Sequence, residues 1–173
     1  MSYFSRVKNK HQHTGQSAAT LLQRFLKPKK SPQASLVHDE GEAFYATAAV
    51  PDIFDLINSA RQGLPKEHLF AVAALYNVSL EELSSWLHCS YRNLQRKPDD
   101  EPLDAPKSER LLELTLLAQR GEDVLGSGRA FQQWLRAPLL ALGQQPPMAL
   151  LGSSLGIQQL QHVLGRLEWG VFG

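Results

Sequence analysis

Beyond residue 42 almost every apolar cluster repeats at helical spacing, and no stretch sustains the period-two alternation of a half-buried strand. The chain is therefore read as all-α. The period predicts a short helix from Pro51 to about Arg61, with Ile53, Phe54, Leu56 and Ile57 on its inner side and Gly63 as a left-handed cap. Leu64-Pro65 opens a second helix to about Tyr76. Ser79, Leu80, Glu81 and Glu82 then form a capping box for a third, because the serine hydroxyl can accept the backbone N–H near Glu82. A long helix is expected from about Pro106 to Leu125, with Leu111, Leu114, Leu117, Ala118 and Val124 on one stripe and Gly126 as its stop. Shorter helices follow at about 129–136 and 157–167, the last presenting Ile157, Leu160, Val163, Leu164 and Leu167. No repeat of solenoid length occurs.

A chain of 173 residues with 43% hydrophobic side chains can bury a core without staples, since folding at this size removes roughly 70% of the extended surface from water. The single cysteine, Cys89, excludes a disulfide framework and points to a reducing cytoplasm. No apolar run approaches the ~20 residues of a membrane helix, and the basic start MSYFSRVKNKHQHTG lacks the apolar stretch of a signal peptide. Membrane, secreted and fibrous classes are set aside.

The formal net charge of +1 conceals an asymmetry. Seven lysines and arginines, and no acid, precede Asp39; the remainder carries 11 Lys+Arg against 17 Asp+Glu. The basic arm can either neutralise nucleic-acid phosphates or be a solvated tail. Its one helical piece is expected at 17–26, from the spacing of Ala18, Leu21, Leu22, Phe25 and Leu26 before Pro28. The segment 27–42 reads as a linker. The stretch 97–107, KPDDEPLDAPK, holds three prolines and four acids and is read as a domain boundary or as a loop within one domain. The resulting division is a basic arm and linker at 1–42, a DNA-binding region at 43–100 and a helical domain at 101–173.

The most informative window is 78–97, VSLEELSSWLHCSYRNLQRK, which reads as two short helices around a tight turn. Leu83, Leu87, Cys89 and Leu94 are placed to pack the pair, with the small Ser84 at the closest approach. Ser90 caps the second helix. That helix offers Tyr91, Arg92, Gln95 and Arg96 from one face, at i, i+1, i+4 and i+5. Arginine can hold a guanine edge or a phosphate, glutamine can pair with adenine, and tyrosine and serine reach phosphates, so Ser90, Tyr91, Arg92, Gln95 and Arg96 are the candidate DNA contacts. The competing reading is an amphipathic helix pair with a solvated basic face. His88 occupies the turn position where glycine is usual, which makes a left-handed backbone there costly though tolerable.

Other constellations are weak. His11 and His13 supply two ligands where zinc needs three or four, and His88 next to Cys89 points apart on a turn. Cys89 reads as a small core residue, and His162 as a surface or interface residue. Asp99, Asp100, Glu101, Glu122 and Asp123 read as solvated charge, Trp134 as core with Phe131 and Leu135, and Ser108, Glu109 and Arg110 as capping plus a surface ion pair. No phosphate-cradling loop, nucleophile elbow or zinc motif is present, and no acid, base and nucleophile can be grouped. The chain is read as a non-enzyme with no cofactor and no metal.

From Gly63 to the end the ordered signals resemble the Xre/MbcA/ParS-type antitoxin family. They are Gly63-Leu64-Pro65, Ser108 to Leu111, Ala130, Trp134-Leu135, Pro138, Leu142-Gly143, Pro147 to Leu151, Gly156, Leu164, Leu167-Glu168 and Gly170-Val171. Gln144 and Pro146 depart from the family's pattern. The resemblance implies a Cro/Xre-like helix-turn-helix followed by a small helical toxin-binding domain. It also implies a homodimer that binds a co-encoded, NAD-degrading toxin of the RES or ADP-ribosyltransferase-like type, occludes its active site and represses its own operon at a palindromic operator. The tail fits such a role: Arg166, Glu168, Trp169, Gly170, Val171 and Phe172 combine the residue types of interface hot spots, and are the candidate toxin contacts. Alternatively Trp169 and Phe172 cover the domain's own core. A stand-alone helix-turn-helix regulator, whose C-terminal half dimerises or senses a ligand, is the other function carried forward.

Overall fold

The computed structural model describes residues 17–25 and 52–170, and these are helical with short connections. Eight α-helices follow in order among the described residues: α1 Ala18–Phe25, α2 Ile53–Gln62, α3 Glu67–Tyr76, α4 Leu80–Trp86, α5 Tyr91–Arg96, α6 Ala105–Leu125, α7 Gly128–Arg136 and α8 Ser154–Glu168. Two 3-10 turns, Leu140–Leu142 and Pro147–Leu150, join α7 to α8, and an isolated bridge pairs Leu139 with Gln145. The all-α expectation stands. Pro28, Pro51 and the linker 27–42 lie outside the described residues, as do Leu26, His11 and His13.

The long helix α6 is the axis of the fold. Its inward positions Leu111, Leu114, Leu117 and Ala118 are fully buried, while Val124 is half-buried at the end of the stripe. Helices α1, α2 and α3 rest on it from one side of the sequence, α7 and α8 from the other. One core cluster runs from Ala18 in α1 to Leu164 in α8, so the proline-rich stretch 97–107 leads into a helix shared by both halves. Crossing α6, the Phe131 ring comes so close to Gly121 that a Cβ there would stand 2.1 Å from it.

The caps follow the sequence closely. Oγ of Ser79, Ser90, Ser127 and Ser153 accepts the backbone N–H three residues on, and Asp104 does the same for α6 through the Lys107 N–H. Gly126 closes α6 in the left-handed conformation at φ 85°. Gly63, expected as a left-handed cap, instead pairs φ 89° with an extended ψ of 129°, and its missing Cβ matters twice, since one would stand 2.3 Å from the Leu103 carbonyl oxygen.

Two further expectations are corrected. Of the four α2 residues predicted to face inward, only Leu56 does; Ile53 is 53% exposed, Phe54 70% and Ile57 stands at the margin, because the buried line of α2 is narrow and consists of Leu56 and Ala60. Ser108 and Arg110 are not at the surface. Ser108 is fully buried, its Oγ accepting the Leu64 N–H at 2.9 Å, and Arg110 is buried on the inner side of α6. Their polarity suggested solvent, but each satisfies backbone groups that the core would otherwise strand.

Candidate functional site

The helix-turn-helix is built as the window predicted. Leu83, Leu87 and Leu94 are buried between the helices, Cys89 is half-buried, and Ser84 is buried with its hydroxyl donating to the Glu81 carbonyl at 2.6 Å. His88 carries the turn at φ 53°, in the left-handed region that glycine usually fills. Burial pushes the Cys89 thiol up, which keeps it protonated and inert.

Helix α5 is only six residues long and buries one, Leu94. It is held at both ends by side chains. At its start, Ser90 Oγ accepts the Asn93 N–H at 3.2 Å, and its own proton stays available for an acceptor outside. At its finish, the buried Lys66 donates Nζ to the Lys97 carbonyl at 2.5 Å and to the Gln95 carbonyl at 3.4 Å, and pairs with Asp99 at 3.1 Å. A cation on terminal carbonyls is the favourable placement for a helix C-terminus. Lys66 was not singled out in the sequence, and nothing there signals it, since its partners lie about thirty residues away.

The five candidate DNA contacts divide. Ser90, Arg92, Gln95 and Arg96 are exposed, whereas Tyr91 is half-buried. Tyr91 and Gln95 line one wall of an open groove of about 1320 Å³. Its floor is the outer face of α3, where Phe70, Ala71 and Ala74 meet Val78 and Leu80, and its far margin is the α6–α7 turn with Glu122, Asp123 and Arg129. Glu122, read as solvated charge, is instead half-buried: it accepts the Ala18 N–H at 3.0 Å, and burial raises its carboxyl above the usual range despite that bond.

Two arginines and a glutamine bind the two halves together through backbone carbonyls. Arg110 Nε donates to the Trp86 carbonyl at the end of α4 (3.3 Å), and Nη2 to the Leu151 carbonyl (2.6 Å); Nη1 reaches Glu113 (2.7 Å) and Ser154 (3.1 Å). From α7, Gln132 donates to the Leu75 carbonyl at 2.9 Å, and Arg136 to the Tyr76 and Asn77 carbonyls at 3.2 and 2.9 Å, closing the C-terminus of α3. Arg120 reaches Glu168 at 2.8 Å, from α6 to the end of α8.

The candidate toxin contacts lie beyond that clamp. Arg166 and Glu168 are exposed, Trp169 is 81% exposed, and Gly170 is left-handed at φ 66°. Trp169 therefore does not cover the core, and that alternative is removed for it. Val171 and Phe172 lie outside the described residues. Glu168 is engaged with Arg120, and His162 stands exposed on α8. Trp134, read as core, is half-buried with its ring stacked 6.1 Å from Phe131. No described helix is long and apolar enough to cross a membrane.

Comparison with known proteins matches two successive regions of the chain. Residues 55–115 match the Antitoxin Xre-like helix-turn-helix domain, and residues 120–170 match the Antitoxin Xre/MbcA/ParS C-terminal toxin-binding domain. The chain is also similar to Antitoxin Xre of Yersinia enterocolitica (serotype O:8 / biotype 1B), at 25% identity over 120 residues, covering 68% of this chain and 80% of that protein. With its paired helices α4–α5 and its helical C-terminal unit matched in the same order, the chain belongs to the Xre/MbcA/ParS antitoxin family, an Xre-like helix-turn-helix domain followed by a toxin-binding domain.

Proposed function

We propose that this antitoxin neutralises a co-encoded, NAD-degrading toxin of the RES or ADP-ribosyltransferase-like type in the cytoplasm, and that it represses its own operon. The observation that carries the first part is Trp169, standing 81% exposed beside Arg166 at the end of a helix in the toxin-binding domain. An exposed tryptophan has no folding reason to be there, and Trp and Arg are the side chains that most often anchor an interface. In this reading Arg166 to Phe172 enter the toxin's cleft and exclude substrate, contributing no catalysis.

Region 43–100 is the DNA-binding part, with Arg92 and Arg96 outermost on α5 and Ser90 and Gln95 beside them. Region 101–173 takes the toxin, and the arm 1–42 adds phosphate contacts. The chain acts as a homodimer on a palindromic operator, and the apolar floor of the groove at Phe70, Ala71 and Ala74 supports self-association, because small residues allow helices to approach closely.

The test is co-expression with the product of the adjacent reading frame, with that product alone as control. Arrested growth and depleted NAD⁺ in the control, both relieved by this chain, are expected. A harmless partner overturns the toxin reading and leaves a stand-alone helix-turn-helix regulator.

A further inference from the structure

The outward side of α8 is a continuous stripe at helical spacing. Leu155, Gln159, His162, Arg166 and Trp169 follow at i, i+4, i+7, i+11 and i+14, and all five are exposed. Both ends are apolar and open: Leu155 is 78% exposed and Trp169 81%. At ~1.5 Å rise per residue they stand about 21 Å apart. The opposite side, with Ile157, Leu160, Val163 and Leu164 buried, already satisfies the helix's need for a core, so the outer leucine and tryptophan contribute nothing to folding.

The stripe is also rigidly presented. Arg110 fixes the start of α8 through Leu151 and Ser154, and Arg120 fixes its end through Glu168. Both arginines come from α6, so one helix staples another at its two ends. A surface ordered in advance loses little conformational entropy on binding. Glu168, used in the staple, is a positioning residue.

We infer that the toxin seats on this whole α8 stripe, from Leu155 to Trp169, and not on the tail alone. The inference rests on the antitoxin reading, since the occupant is assigned by the match of 120–170 to a toxin-binding domain. The chemistry of the stripe specifies the partner's face: an apolar recess for Leu155, a second for Trp169 about 21 Å away at ~1.5 Å per residue, and an acidic group between them for Arg166.

The experiment measures binding of the adjacent reading frame's product, immobilised, to the full-length wild-type chain and to Leu155→Asp, Leu155→Ser, Trp169→Ala and Phe54→Ser. Leu155→Asp puts an acid in the first turn of α8, where it favours the helix, and Leu155→Ser guards against a purely electrostatic effect. Leu155→Asp and Trp169→Ala should each weaken binding by about 30-fold, the loss expected of a hot spot. Phe54→Ser, an equally exposed apolar residue on α2, should leave it unchanged. Wild-type binding with Leu155 variants as tight as wild type overturns the stripe and leaves the tail reading intact. No binding by the wild-type chain overturns both.

Discussion

Helices α5 and α8 carry the surfaces proposed for DNA and for toxin, and they are secured by different physics. Helix α5 buries one side chain, Leu94, and owes its position to Ser90 at one end and Lys66 at the other. Helix α8 buries five positions over fifteen residues, with arginine contacts at both ends in addition. A six-residue helix is below the length that is stable on its own propensity, so each polar contact on α5 carries a larger share of its stability than the same contact on α8. Helix α5 is thus the softer of the two surfaces, and α8 the firmer.

The largest predicted effect comes where the end of α4 is tied to the start of α8. Arg110→Ala leaves the carbonyls of Trp86 and Leu151 buried without a donor and removes the ion pair of Glu113, which should cost about 3 kcal/mol of global stability in urea unfolding. A change within a few tenths of wild type would mean that α4 and α8 are held without it. Matched cap removals sharpen the contrast at smaller scale. Ser90→Ala and Ser153→Ala should each lose about 1 kcal/mol of local helix stability. Hydrogen exchange should show α5 opening first, and operator affinity should drop for Ser90→Ala while Ser153→Ala leaves it intact. Equal exchange from both helices would erase the distinction.

The smallest effect is a pH dependence in α3, the helix under the groove. His68 is buried against the Phe25 ring, with centroids 4.4 Å apart, and desolvation lowers its pKa below the ordinary imidazole value although the Pro65 carbonyl opposes this. A lowered folded pKa means that the unfolded chain takes the proton first. The stability due to neutral His68 is therefore complete above about pH 6.5 and declines as the pH falls through the folded value. Unfolding midpoints at pH 8 and pH 5.5 should differ for wild type and differ less for His68→Gln; identical differences would assign the effect elsewhere.

Much of the architecture is readable in the chain because its signals are local. Ser79 and Ser90 cap through their own next turn, Gly126 and His88 mark positive φ, and the Leu111 to Ala118 stripe declares its own inner face. What the sequence hides is set by distant backbone. Arg110 resembles a surface residue until the Trp86 and Leu151 carbonyls, 24 and 41 positions away, are brought to it. Ile53 and Phe54 resemble core, yet α2 buries only Leu56 and Ala60. Helix α8 begins three residues earlier than expected because Leu155 breaks the buried stripe, and the same departure from pattern makes it a candidate contact. The five α5 residues were identifiable by chemical type alone, but that Tyr91 leans into the groove depends on how α3 lies beside it.

Helix α6 carries a consequence for how such proteins can be recombined. The two family matches end and begin at residues 115 and 120, inside its unbroken run from Ala105 to Leu125. Exchanging one antitoxin's partner specificity for another's therefore means splicing within a helix. A graft there that gains or loses a single residue turns everything downstream by about 100° about the helix axis. Only exchanges that conserve the register of α6 can transmit a new toxin surface to an old operator-reading domain, so residue count through this helix filters which hybrids can arise by gene fusion.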